Sequence, residues 1–180
     1  MFLTDWFSLI VLISTFGAQL KLRSLRFQYV KYAFWFSVIV IFGIALYYSF
    51  LQYRLWQGDP LGKFYLPPYQ SIFYFFGYVG VRLIGPWLVA LAAAAIGSYA
   101  AQSLNTWFSG RFFEKEEPLV FALGIFLTGY PGFLFYIPVV LLAGLLLTIS
   151  YQLLGRGRAP LYYLWLPAAI LAILIKIFLI

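Results

Sequence analysis

Side chains able to do acid–base or nucleophilic work are few in this chain of 180 residues. The acids are Asp5, Asp59, Glu114, Glu116 and Glu117, and any carboxylate mechanism must draw on these five. There is no His, which removes an imidazole base, a haem axial His and a His metal ligand. There is no Cys, which removes a disulfide, a thiol nucleophile, a thiolate metal site and a Cys-anchored lipid. No metal site and no cofactor are expected. A serine nucleophile activated by lysine would have to use Ser71 or Ser98, and no spacing points to such a pair. Arg82 and Lys176 stand in or beside apolar runs, where an ionisable group marks a functional site by default. Both fall near expected helix ends, so snorkelling of the charge to the interface is the simpler account.

These groups must be positioned by elements that live in lipid. Hydrophobic residues make up 64% and charged residues 9% of the chain, against about 25% charged in a soluble domain. So few polar residues cannot cover a water-facing surface, and the chain reads as an integral, multi-pass membrane protein, with the cell membrane as the expected host. At roughly 20 apolar residues per crossing, the length allows at most about seven spans. The expected fold is all-α, a compact bundle of about six (five to seven) transmembrane helices. It is read as a single membrane domain, 1–180, with 1–31 as first helix plus basic turn and 32–180 as helical core. The formal charge of +7 sits in short loops between apolar runs. That pattern points to anionic lipid head groups and topology control, not to nucleic acid, which needs a solvated basic face.

Residues 4–20 carry Asp5 and no base at their start, so they read as a retained helix and not as a signal peptide. The turn at 21–31 holds the membrane-surface cations Lys21, Arg23 and Arg26, with Lys31 at its end. Residues 32–53 form the clearest span, with aromatic residues at both ends. Turn chemistry at Gly58-Asp59-Pro60 and Pro67-Pro68 makes 54–68 a loop. Gly85-Pro86 divides the next apolar stretch into 69–84 and 86–108, because proline lacks a backbone donor and clashes with the preceding turn. In the second half Ala93, Gly97 and Ala101 share one face at four-residue spacing, which lets another helix approach closely.

Residues 109–117 are the most polar segment, and its mixed charges suit an interfacial loop that caps the helix starting at Pro118. Residues 118–130 are short for a span. They are either a short crossing or half of a hairpin turning at Pro131-Gly132. A span over 133–153, a basic turn at 154–160 with Arg156 and Arg158, and a last span over 161–180 complete the chain. If every element crosses, the cations at 21–31 and at 154–160 fall on opposite sides, against the positive-inside rule. One element that does not cross fully would remove the conflict.

The run LAAAAIGSYAAQSLNTWF, the polar loop after it, PLVFALGIFLTGYPGFLFYIPVVLLAGLLLTI and GRGRAPLYYLWLP together resemble the membrane core of the prepilin peptidase family, intramembrane aspartyl peptidases with a GxGD motif. Upstream, GDPLGKFYLPPYQSIFYFF is similar to the loop that carries that family's first aspartate. The likeness spans roughly residues 50–175. It implies a catalytic pair of Asp59 and Glu116, one carboxylate activating water and the other polarising the scissile carbonyl. The motif is degenerate: Glu116 stands at the aspartate position, and Phe113 and Lys115 stand at the glycines.

Three functions follow as expectations. The first is a non-catalytic membrane subunit, a pseudoenzyme that packs against other membrane protein subunits through its small-residue helix and aromatic faces. The second is a prepilin-peptidase-like intramembrane protease using Asp59 and Glu116. The third is a small transporter or channel component, which would need a polar cavity reaching Arg82 or Lys176.

Overall fold

The computed structural model describes residues 2–22, 27–108, 113–154 and 161–179. Among these the chain is all-helical. Helix α1 runs Phe2–Leu22 and α2 runs Phe27–Gly58. A 3-10 turn over Gly62–Tyr65 leads to α3, Ile72–Val79. A π-helical segment, Gly80–Ile84, joins α3 to α4, Gly85–Trp107. Helix α5 spans Glu117–Leu153, and α6 spans Trp165–Leu179 after a 3-10 turn over Leu161–Tyr163. Five helical stretches are long and apolar enough to cross a membrane, so the lipid bilayer is this protein's solvent.

Helix α2 takes in residues 27–31 and 54–58, expected as parts of a turn and a loop, and two larger expectations change as well. First, Gly85-Pro86 does not divide the third stretch. Residues Ile72–Trp107 form one rod of 36 residues. The missing N–H of Pro86 is absorbed by the π segment, where the Gly85 N–H donates to the Gly80 carbonyl, five residues back. Second, α5 is not a straight span. Gly129 has φ 63° and ψ 176°, and Tyr130 is extended, so the helix stops after Thr128 and restarts at Pro131 through a cis Tyr130–Pro131 bond.

The two arms of α5 lie side by side. The rings of Phe121 and Tyr136 are 5.9 Å apart, although 15 residues of straight helix would separate them by about 22 Å. A Cβ on Gly124 would meet the Tyr136 ring at 2.7 Å, so a bare glycine is what lets the arms close. Helix α6 fixes the direction of both arms. Trp165 packs on Phe121 of the descending arm, and Gly144 of the returning arm faces Leu164. At the other end of α6, Lys176 lies against Thr128 and Gly132 at the hairpin tip. The hairpin therefore enters and leaves at the same end of the bundle.

Helix α1 is fastened along α6 at two levels. The Gln19 amide donates to the Tyr162 carbonyl at 2.9 Å, and Asp5 pairs with Lys176. Fourteen residues of helix, about 21 Å, separate the levels. Thr4, Asp5, Ser8, Thr15 and Gln19 are all buried, so α1 turns its polar stripe inward and its Trp6, Ile10 and Ile13 outward to lipid. A second, smaller core lies at the far end of α2, where Trp56 packs on Tyr65, Tyr74, Phe75 and Tyr78.

Candidate functional site: a cation-bearing cavity at the hairpin tip

A cavity of about 290 Å³ opens where α2, the π segment, the hairpin tip and α6 meet. Tyr48, Tyr78, Arg82, Trp87, Tyr130 and Lys176 are among its lining residues. Along α2 it lies at the level of Ala45 and Tyr48. That is about 7–12 Å of helix from the aromatic belt at Tyr53 and about 20 Å or more from Tyr32 at the other interface. The site is therefore inside the membrane, nearer one face.

Each wall has a local cause. The break at Gly129 ends the descending arm deep in the bundle, and the last carbonyls of a helix lack intrahelical donors. The Lys176 ammonium stands at that carbonyl end, 3.5 Å from the Thr128 oxygen. Such a position suits a cation, because the helix dipole is negative there. Lys176 also donates to Asp5 Oδ1 at 2.7 Å and lies 5.9 Å from the Trp87 ring centre. Both members of the ion pair are almost fully buried. Gly129 in turn needs its positive φ, and a Cβ there would strike Trp87 at 3.0 Å, so the tip and Trp87 define one another.

Lys176 departs from the snorkelling expected of it. Lys176 turns inward to a carboxylate. Arg82 is exposed and lies ten residues inside the continuous rod that starts at Ile72, not at a helix end.

Asp59 and Glu116 are not brought together. The Asp59 carboxylate accepts the Gly62 N–H in the turn after α2, beside the start of α3. Glu116 precedes α5 at the other end of α4, where Asn105 holds the Phe113 backbone with two hydrogen bonds. The rod from Ile72 to Trp107 lies between them, about 54 Å at helical rise. Glu117, next to Glu116, is buried and accepts the Glu114 N–H at 2.9 Å, a capping contact.

The small-residue face of α4 is occupied by this chain's own hairpin. A Cβ on Gly97 would meet Ile125 at 2.8 Å and Phe121 at 3.2 Å. Ala101 is buried, and Ala93 packs against the main core. Lys21 is exposed in the last turn of α1. Arg23, Arg26, Arg156 and Arg158 lie outside the described residues.

Sequence reasoning passed over the Asp5–Lys176 pair. The signal was present: among the five acids only Asp5 lies within an apolar run, and Lys176 is the one lysine inside the last span. Charges of opposite sign isolated in lipid-facing segments are expected to find each other.

Comparison with protein-family models, with curated proteins and with solved structures finds no match to this chain. The resemblance to the prepilin peptidase core rests on the residues quoted for it alone.

Proposed function

We propose that this protein is a small non-catalytic membrane transporter component, with the cavity at the hairpin tip as its binding site for a negatively charged solute. The carrying observation is that one intramembrane cavity is lined by both Arg82 and Lys176 beside an interrupted helix. Broken helices whose ends face a site near the middle of the membrane are the usual way that transporters hold polar cargo in lipid. The separation of Asp59 from Glu116 speaks against a shared-proton dyad, which requires two carboxylates within reach of one water. The use of Gly97 inside the bundle leaves the subunit reading only its exposed aromatic faces, such as Phe73 and Phe76, which suit lipid equally well.

The test is anion-driven charge movement across liposomes containing the purified chain. A signal that exceeds empty liposomes, and that Ala45→Trp or Tyr48→Trp removes by filling the cavity, supports transport. No signal from a panel of inorganic and organic anions overturns it.

A further inference from the structure

Arg82 has a charge problem that the protein does not solve. It is exposed within a membrane-crossing rod, where an unpaired ionisable group marks a functional site by default. It has no ion-pair or hydrogen-bond partner among the described residues. All five acids are accounted for. Asp5 is held by Lys176, Asp59 by the turn after α2, and Glu114, Glu116 and Glu117 precede or start α5 at the other end. Because Asp5 neutralises Lys176, Arg82 leaves the cavity with one net positive charge.

We propose that the cavity takes a phosphate group, with the Arg82 guanidinium as its counter-charge. This deepens the reading of the cavity as an anion site and rests on it. A guanidinium offers a planar fork of donors that matches two phosphate oxygens. A tetrahedral anion has further oxygens pointing elsewhere, and Tyr48, Tyr78 and Tyr130 bring phenolic hydroxyls from three different elements. None of those hydroxyls has a hydrogen-bond partner among the described residues. The cavity sits at the low end of the ligand-pocket range, enough for a head group but not for a whole lipid. Its rim is open to the bilayer, since two of its lining residues, Arg82 and Tyr130, are exposed. The phosphate can therefore arrive on a lipid, with its tails left outside, or as a free ion.

The experiment is a binding titration of the full chain in a neutral detergent. The probes are dioctanoyl phosphatidic acid, dioctanoyl glycerol and inorganic phosphate. The expected result is saturable binding of phosphatidic acid, at least tenfold tighter than of the glycerol lipid. Arg82→Gln weakens it at least tenfold, Arg82→Lys weakens it less, and Arg54→Gln, at the end of α2, leaves it unchanged. Inorganic phosphate binding as tightly as phosphatidic acid identifies a free ion as the source; binding of phosphatidic acid alone identifies a head group. Equal affinity for the two lipids overturns the proposal without relying on any variant. So does unchanged affinity in a folded Arg82→Gln protein, or no binding of either phosphate probe. Anion flux without phosphate binding removes this inference and leaves transport standing. Phosphate binding without flux does the reverse.

Discussion

Asp5 and Lys176, 171 positions apart, meet at 2.7 Å inside the bundle. Asp5 lies in the first turn of α1 and Lys176 in the last turn of α6, so each charge also faces the favourable end of its own helix dipole. The pair holds the first and last helices together at the tip of the hairpin. Removing one partner leaves the other charge buried, a loss of about 3–5 kcal/mol where such pairs have been dissected. Asp5→Asn and Lys176→Met are each expected to lower unfolding stability in detergent by several kcal/mol. The double substitution Asp5→Leu/Lys176→Leu is expected to recover most of that loss. Additive losses in the double variant would show that the two residues do not act as a pair.

Glycine tolerance should follow the contacts at each position. Gly129→Ala places a side chain at φ 63° and drives its Cβ onto Trp87. The backbone strain alone is worth about 1–3 kcal/mol. Gly97→Leu pushes α4 off the hairpin at Ile125 and Phe121 and should be more damaging still. Gly77, with nothing within 4 Å of its would-be Cβ, is the matched control, and Gly77→Leu should leave the thermal midpoint within about a degree or two.

The fold-back of α5 settles which loops share a side. Lys21, Lys31 and Lys115 lie at the end where the hairpin enters and leaves, and Arg54 and Lys63 lie at the other. The natural chain has no Cys, so single cysteines can be introduced without further change. Lys21→Cys and Lys115→Cys should react with a membrane-impermeant maleimide from the same side, and Lys63→Cys from the opposite one. Labelling of Lys21→Cys and Lys115→Cys from opposite sides would refute the topology.

Asp59 and Glu116 should be far apart in solution. Spin labels at these two positions are expected to report a separation on the order of 50 Å. A distance below about 20 Å would reopen the dyad. Asp59→Asn and Glu116→Gln should leave anion binding unchanged.

Much of the architecture was legible in the residues. Low charge and apolar runs were enough for an all-helical membrane protein, and the clash in loop charges left room for one element that does not cross fully. Gly129-Tyr130-Pro131-Gly132 marked where that element turns. The sequence could not decide between hairpin and short span, because the arm–arm contact depends on Gly124 accepting Tyr136 across a turn. Pro86 misled for a related reason. A proline ends a helix only if no other hydrogen-bond register takes up the missing donor, and here a π turn does. The cavity was hidden because its cations and tyrosines come from segments far apart in the chain.

The most direct test of an anion site inside the membrane is the reactivity of a cysteine placed in the cavity. Tyr48→Cys lines it, and Leu46→Cys, 62% exposed on the same helix, faces lipid. The expected result is that a small charged thiol reagent modifies position 48 much faster than position 46, and that a phosphate-bearing ligand slows the reaction at 48 alone. Equal, negligible rates at both positions would contradict the site, as would a rate at 48 that no anion changes.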